Sequence, residues 1–198
     1  MQRIEAGTLR GRKLLSLPAG VPGLRPTGAR VRGAIFDRLQ REVVDARVLD
    51  LFAGSGALSI EALSRGASHG TLLEVDARVA RHLRRQLDVL GLGDRCELHR
   101  ADALAWIRAG RGGRAPFDLV LVDPPFAMPE VFEPIARGLC EGGLLADGAW
   151  VVCERELVRG KSPGVDWPAA LTLELCRDYG QARVEFLLHG APLPGDPS

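Results

Sequence analysis

The stretch Val48–Ala67, VLDLFAGSGALSIEALSRGA, decides the fold of this chain. It opens with a short apolar run that ends at an acid, Asp50, and it closes with apolar residues at helical spacing. Between them lies Gly54-Ser55-Gly56, a loop in which glycine, having no Cβ, lets the backbone approach a ligand closely. The stretch therefore predicts a strand, a ligand-facing loop and the start of a helix.

Outward from this stretch, strand-like and helix-like segments alternate along the chain. The strand candidates are residues 47–53, 70–76, 96–102, 117–123 and 149–156, and the helix candidates are residues 57–65, 77–90, 103–109 and 129–140. This alternation predicts an α/β fold with a doubly wound, mostly parallel sheet. Two further strands follow around a tight Tyr179-Gly180 turn, so we expect seven strands with a C-terminal antiparallel hairpin.

The N-terminal residues have a different pattern. Residues 3–16 predict a basic hairpin or irregular ribbon, and a connector rich in proline and glycine follows at residues 17–28. A helix is expected from an N-cap at Thr27 to about Arg41. The expected organisation has three parts: an arm (1–46), an α/β domain (47–190) and a disordered tail (191–198).

The charge is unevenly distributed along the chain. The whole sequence has a formal net charge of +1, whereas residues 1–41 hold nine Lys or Arg against two acids, which gives +7 and leaves −6 for the rest. A basic arm on a mildly acidic body suggests a polyanionic partner. No apolar run approaches the roughly 18 residues of a membrane span, and the N-terminus lacks the apolar region of a secretory signal. We therefore expect a cytoplasmic protein that does not bind membranes. A monomer is expected, although neither charge nor hydropathy reports on the oligomeric state.

The predicted strands end in acidic residues that the fold would bring together. Ligands of open α/β sheets bind beyond the carboxyl ends of the strands, and four of these ends carry Asp50, Glu74, Asp102 and Asp123. Glu74 stands twenty residues after Gly54, the separation at which a carboxylate accepts hydrogen bonds from ribose hydroxyls. The pattern therefore predicts a nucleoside ligand.

Two residues favour a nucleoside with an ammonium group over a dinucleotide. Ser59 stands where the G-x-G-x-x-G fingerprint would have Gly or Ala. Asp50, just ahead of the glycine loop, would repel a pyrophosphate but attract an ammonium group. We therefore expect a nucleoside joined to a charged amino acid.

Sequence blocks along the chain resemble known methyltransferases. The blocks VLDLFAGSGALSIEALSRGA, LLEVD, ADA and DPPF resemble, in their order, the class I S-adenosylmethionine-dependent methyltransferases with a Rossmann-like fold that act on exocyclic amines. The segments AGTLRGRKL, LRPTGARVRGAIFDRL and DYGQARVEFLL resemble one narrower family, the bacterial methyltransferases of the guanine N2 amine of 16S ribosomal RNA. The resemblance implies S-adenosyl-L-methionine as cofactor, and guanine 966 of 16S rRNA in a partly or fully assembled small subunit as substrate.

The resemblance also implies roles for individual residues. The loop Phe52–Gly56 would surround the methionine moiety, Glu74 would take the ribose hydroxyls, and Asp102 with Ala103 would hold the adenine, although Asp102 could also be a helix N-cap. The expected cofactor-binding residues are Asp50, Phe52, Gly54, Ser55, Gly56, Glu74, Val75, Asp102, Ala103 and Asp123. The expected RNA-binding residues are Arg10, Arg12, Lys13, Arg25, Thr27 and Arg30.

The run Asp123-Pro124-Pro125-Phe126 is the expected catalytic motif. Guanine N2 is a poor nucleophile because its lone pair is delocalised into the ring. The Asp123 carboxylate and the Pro124 carbonyl would accept its two N–H groups and direct the lone pair at the methyl group. The prolines Pro124 and Pro125 would fix the backbone, and Phe126 would stack on the base. No metal is expected, because the four histidines lack ligand spacing.

Three functions are kept as alternatives. The first is an RNA guanine-N2 methyltransferase, the second another exocyclic-amine methyltransferase acting on DNA adenine or cytosine or on protein glutamine, and the third a non-catalytic RNA-binding assembly protein. The basic arm favours a nucleic acid substrate, and so short a chain leaves no room for a separate DNA target-recognition domain. Asp123 argues against the third alternative, because a protein that only binds RNA does not need to keep this acid.

Three positions depart from the family pattern. Gly33 stands where an acid normally follows the RVR of the arm helix, and Asp37 and Gln86 stand where asparagine is common. Gly33 is expected to weaken its helix by roughly 1 kcal/mol relative to alanine. A missing acid at this position would also change how the arm holds Arg25 or the RNA.

Overall fold

The computed structural model describes residues 2–17, 28–110, 112, 115–157 and 164–190. Within these ranges the strands are β1 (Arg47–Asp50), β2 (His69–Leu73), β3 (Cys96–His99), β4 (Phe117–Val122), β5 (Leu145–Glu156), β6 (Leu171–Tyr179) and β7 (Ala182–His189). They form one sheet in the order β3-β2-β1-β4-β5-β7-β6. The first five are parallel, and β7 runs antiparallel to both β5 and β6. The predicted α/β fold and its C-terminal hairpin are confirmed.

Helices cover both faces of this sheet. They are α1 (Ala29–Arg38), α2 (Ala57–Ser64), α3 (Ala77–Leu90), α4 (Ala103–Arg108) and α5 (Phe132–Glu141). Successive strand residues point to opposite faces, so Leu119 and Leu121 of β4 join the core under α1–α3, whereas Val120 and Val122 join the core under α4 and α5. Burial on both faces explains why the strands read as continuous apolar runs.

The first three strands end earlier than the sequence predicts. Each of β1, β2 and β3 stops three residues short of its predicted end, at Asp50, Leu73 and His99. The apolar pattern continues past these points because the loops beyond them are still partly buried. Backbone hydrogen bonds such as Ala53 N–H to the Leu73 carbonyl (2.9 Å) anchor the loops to neighbouring strands. The residues after the strand ends are therefore the ones that form the site.

Other boundaries also differ from the predictions. Helix α1 has Gly28 as N-cap with no side-chain cap, and it ends at Arg38 rather than Arg41 because turns follow it. A 3₁₀ turn precedes α5, and β5 begins four residues earlier than predicted, at residue 145. The hairpin turn is Gly180-Gln181, since Tyr179 already pairs with Ala182. The N-cap prediction for Thr27, most of the proline-rich connector and the tail at residues 191–198 lie outside the described residues.

The N-terminal residues form an irregular ribbon rather than two regular strands. One antiparallel bridge joins Arg3 to Lys13, and the Ile4 N–H donates to the carbonyl of Arg12 at 3.0 Å. The side chain of Ile4 is buried against the core under α1–α3. The ribbon therefore packs on the same side of the sheet as these helices. In the part of the chain that the structure describes, no helix is both long and apolar enough to span a membrane.

Candidate active site

The predicted site residues of the α/β domain surround one cleft. It lies at the carboxyl ends of the strands, where the chain order reverses between the neighbours β1 and β4, and its volume is about 1090 Å³. Twelve expected residues line it: Asp50, Phe52, Gly54, Ser55, Glu74, Val75, Asp102, Ala103, Asp123, Pro124, Pro125 and Phe126. The structure thus brings the predicted cofactor-binding and catalytic residues together.

Gly56 is the expected cofactor-binding residue that does not line the cleft. It is the N-cap of α2 and has φ 77°, a conformation that favours glycine. A Cβ at this position would lie 2.4 Å from the Leu83 side chain of α3. Gly56 therefore allows the tight turn and the close packing of α2 on α3, and its contribution to the cleft is through the shape of the loop.

Asp50 lies under the glycine loop with only 1% of its surface exposed. Its carboxylate accepts the Phe52 N–H at 3.3 Å and the hydroxyl of Ser59. Burial raises the pKa of Asp50 from 3.8 to about 7; the Ser59 hydrogen bond opposes this rise, and the nearby Asp123 carboxylate adds to it. Ser59, which departs from the dinucleotide fingerprint, therefore holds a buried acid in place.

Glu74 is oriented by the backbone on both sides. Its two carboxylate oxygens accept the N–H groups of Gly54 (3.0 Å) and Asp76 (2.7 Å). Burial raises the pKa of Glu74, and these two hydrogen bonds counteract part of the rise. Each carboxylate oxygen can accept more than one hydrogen bond, so the oriented group still has capacity for ribose hydroxyls.

Asp102 combines the two roles that its sequence position allows. It is the N-cap of α4, and its Oδ1 accepts the Ala105 N–H at 2.8 Å. It also lines the cleft together with Ala103, whose side chain is buried. The cap fixes the carboxylate at the rim, where its other oxygen can accept a hydrogen bond from a ligand amine.

The run from Asp123 to Phe126 forms the wall of the cleft where β4 ends. Asp123 and Phe126 are half-buried, Pro124 is buried and Pro125 is exposed. The carbonyl of Pro125 accepts the Met128 N–H at 2.9 Å, which closes a turn directly after the run. The strand end, two prolines and this turn together keep the wall rigid.

The N-terminal ribbon docks onto α2 through the buried carboxylate of Glu61. This carboxylate accepts the N–H groups of Glu5 (2.9 Å) and Ala6 (3.0 Å) and the Nε–H of Arg65 (2.8 Å). It also lies 3.5 Å from Nε of Arg32, whose side chain is only 1% exposed. Arg32, which counts toward the basic arm in the sequence, is therefore a structural residue and is not available to a partner.

Two departures from the family pattern have structural reasons. A Cβ at Gly33 would lie 2.9 Å from the Glu5 carboxylate, which pairs with Arg32 at 3.0 Å. Glu5 thus occupies the space beside α1 and supplies a carboxylate there. Gln86 of α3 accepts the Leu15 N–H and so holds the end of the ribbon. Gln86 therefore secures the arm to the body, whereas Glu5 joins the ribbon to α1 within the arm.

The expected RNA-binding residues lie at different distances from the cleft. Arg30 lines the cleft itself. Three are exposed on the ribbon: Arg10, Arg12 and Lys13. The Arg12 guanidinium donates to the Val89 carbonyl at 3.0 Å, near the far end of α3 from the cleft. Two lie outside the described residues: Arg25 and Thr27.

Comparison with known proteins finds a matching family and several relatives of this chain. The family model described as Conserved hypothetical protein 95 matches residues 2–188. The chain belongs to this family. Ribosomal RNA small subunit methyltransferase D of Escherichia coli (strain K12) is 43% identical over 158 residues, 80% of this chain and 76% of that protein. The protein of the same name from Haemophilus influenzae is 39% identical over 155 residues, 78% of each chain.

Solved structures also resemble this member of the Conserved hypothetical protein 95 family. The Escherichia coli protein yhhF aligns with a TM-score of 0.82 and 39% identity, covering 96% of this chain and 99% of that one. An RNA methyltransferase from Salinibacter ruber, in complex with S-adenosyl-L-homocysteine, shares the fold at a TM-score of 0.60 and 19% identity, covering 87% and 98%. The chain is a methyltransferase with the class I fold.

Several residues of the cleft escape the sequence analysis of this family member. They include Val31, Met128, Glu154, Tyr179 and Gln181. Of these five, Glu154 has a signal in the sequence, because it directly follows the apolar run AWVVC in a predicted strand, where a buried acid is unusual. Within the described ranges, no three His, Cys, Asp or Glu side chains are grouped so that they could hold a metal ion.

Proposed function

We propose that the chain transfers a methyl group from S-adenosyl-L-methionine to the exocyclic N2 amine of a guanine in 16S ribosomal RNA. The observation that carries this proposal is the position of the run Asp123-Pro124-Pro125-Phe126, which shares one cleft with the glycine loop and Glu74. The names of the Escherichia coli and Haemophilus influenzae relatives, ribosomal RNA small subunit methyltransferase D, support ribosomal RNA as the substrate.

The side chains at one end of the cleft fit the cofactor. Glu74 is held by two backbone N–H groups and keeps lone pairs for ribose hydroxyls. Asp102 offers a carboxylate oxygen to an adenine amine, and Asp50 supplies a buried acid whose charged form is favoured by a cation. When bound, the cofactor supplies a methyl group on a sulfonium, so the protein's task is to position a nucleophile.

The wall of the cleft supplies the acceptors for the amine. The Asp123 carboxylate and the Pro124 carbonyl accept the two N–H groups of guanine N2, which favours a pyramidal nitrogen with its lone pair free to react. Pro124 and Pro125 fix the backbone φ, so little ordering is left for substrate binding. Phe126 stacks on the base, which must leave its neighbours to enter the cleft.

The exposed basic residues supply contacts to RNA phosphates. Arg12 of the ribbon lies near the C-terminal end of α3, and Arg30 lies in the cleft. Along α3, which is about 20 Å long, Arg78, Arg81 and Arg85 are exposed and extend the basic surface from the ribbon toward the cleft. A surface of this length spans several nucleotides, which suits the RNA of a partly or fully assembled small subunit.

Transfer of label from S-adenosylmethionine tests this function. The purified chain is incubated with small ribosomal subunits from cells that lack their own enzyme of this family, with free 16S rRNA, and with mixed-sequence DNA. We expect label in the RNA of the subunits, and more there than in free rRNA. Label that enters DNA or ribosomal protein instead would contradict the proposal and favour another exocyclic-amine substrate.

A further inference from the structure

Glu154 is a buried acid in the cleft to which the function so far gives no role. It lies on β5 with 8% of its surface exposed, and it lines the same cleft as Asp123, Pro124 and Phe126. In the parallel pairing of β4 with β5, Val122 is opposite Cys153. Asp123, the first residue after β4, therefore comes next to Glu154 of β5, because adjacent strands lie about 4.8 Å apart.

The order of the strands gives Glu154 its place relative to the cofactor. Across the sheet in the order β2, β1, β4, β5, the acids are Glu74, Asp50, Asp123 and Glu154. Glu74 and Asp50 belong to the cofactor end, and Asp123 contacts the reacting amine. Glu154 therefore lies on the far side of Asp123 from Glu74, the acid expected to bind the ribose. The rest of the target base must lie on this side of Asp123.

We propose that Glu154 recognises the Watson–Crick edge of the target guanine by accepting a hydrogen bond from its N1–H. This inference rests on the proposed function. Guanine presents N1–H and N2–H side by side, so acceptors on two neighbouring strands can contact both. An ionised carboxylate accepts hydrogen bonds but cannot donate them. A base with a lone pair at this ring position, such as adenine or cytosine, would therefore face Glu154 without a shared proton and be rejected.

The test uses a base that keeps the reacting amine and loses the N1 proton. Small subunits are assembled with 2-aminopurine in place of the target guanine; this base has the same exocyclic amine but a lone pair at N1. The wild-type chain should methylate guanine at least about 100-fold faster than 2-aminopurine. Glu154→Gln should reduce this ratio to within about tenfold, because its amide can donate to the lone pair.

Two further measurements separate recognition from a structural role. The affinity for S-adenosylmethionine, measured by calorimetry, should be unchanged in Glu154→Gln. Glu156→Gln, a matched change two residues along β5 and outside the cleft lining, should keep the wild-type ratio of the two bases. If Glu154→Gln does not fold, Glu154→Asp provides the test. Its shorter side chain should slow the methylation of guanine more than tenfold and should not raise the rate of methylation of 2-aminopurine.

The outcomes distinguish this inference from the function on which it rests. If the wild type methylates guanine but Glu154→Gln keeps the wild-type ratio, the role of Glu154 is overturned and the proposed function stands. An unchanged guanine rate in Glu154→Asp would overturn the role in the same way. If the wild type methylates no guanine in subunits and instead labels another amine, the proposed function fails, and the inference fails with it.

Discussion

Replacing Asp50 with asparagine should stabilise the ligand-free protein at alkaline pH. The pKa of Asp50 rises from 3.8 to about 7 on folding, so the native state binds more protons than the unfolded state between these values, and the free energy of unfolding falls as pH rises through this window. Because the pKa is about 3 higher in the native state, ionisation of Asp50 lowers the free energy of unfolding by about 4 kcal/mol once the pH is well above 7. About 3 kcal/mol of this loss occurs between pH 5 and pH 8.5. Asparagine has almost the same shape and does not ionise.

Urea unfolding of both proteins at pH 5 and pH 8.5 measures this difference. Between pH 5 and pH 8.5, the free energy of unfolding should fall by about 3 kcal/mol more in the wild type than in Asp50→Asn. The variant should also bind S-adenosylmethionine more weakly than the wild type at pH 8.5. Asp118→Asn serves as control, because Asp118 is a strand acid that accepts the Arg47 N–H (2.8 Å) away from the cleft. Equal pH dependence in the wild type and Asp50→Asn would refute the reasoning.

Three further changes test the amine acceptor, the RNA surface and the docking of the ribbon. Asp123→Ala should lower the methyl-transfer rate by about 10² to 10³-fold, because the amine loses an acceptor, while cofactor affinity measured by calorimetry should fall much less. Reversing the charges of the three exposed ribbon residues should weaken RNA binding, and the slope of log affinity against log salt should fall by about one per lost phosphate contact, measured by filter binding. Glu61→Gln should lower the free energy of unfolding in urea by about 2 kcal/mol, because buried Arg32 loses one of its two carboxylate partners.

Matched controls accompany these three variants. Asp118→Ala should leave the transfer rate within about twofold, since this side chain is outside the cleft. Arg137→Glu on α5, on the opposite face of the sheet, should leave RNA affinity unchanged. Glu133→Gln removes an exposed ion pair with Arg137 and should cost under about 0.5 kcal/mol, because solvent screens it. A variant that behaves like its control contradicts the role assigned to that residue.

The sheet and its cleft could be predicted because their signals are local. The run Val48–Gly56 contains a strand, an acid and a glycine loop in direct succession, and the spacing from Gly54 to Glu74 follows from one strand-helix-strand unit. Strand ends were harder to predict, since Leu51 and Phe52 continue the apolar pattern into the loop. Their burial depends on the loop packing over the sheet, which periodicity does not report.

The arm and the far end of the cleft could not be predicted because they depend on long-range contacts. Arg32 looks like another basic residue of the arm until Glu61, twenty-nine positions later, is found against it. Gln86 lies on the apolar face of its helix with Leu83 and Leu90, but its spacing does not show that it holds the N–H of Leu15. Glu154 becomes part of the site only through the register of β4 with β5. The pairings themselves leave no pattern in the surrounding sequence, although Glu154 is unusual as an acid directly after a buried apolar run.

The most direct test of the account is the identity of the methylated nucleoside. Small subunits from cells that lack an enzyme of this family are treated with the chain and S-adenosylmethionine, and their 16S rRNA is digested and analysed by mass spectrometry. The account predicts N2-methylguanosine at one site with the wild type and almost none with Asp123→Ala. A methylated adenine or cytosine, or equal N2-methylguanosine from both proteins, would contradict it.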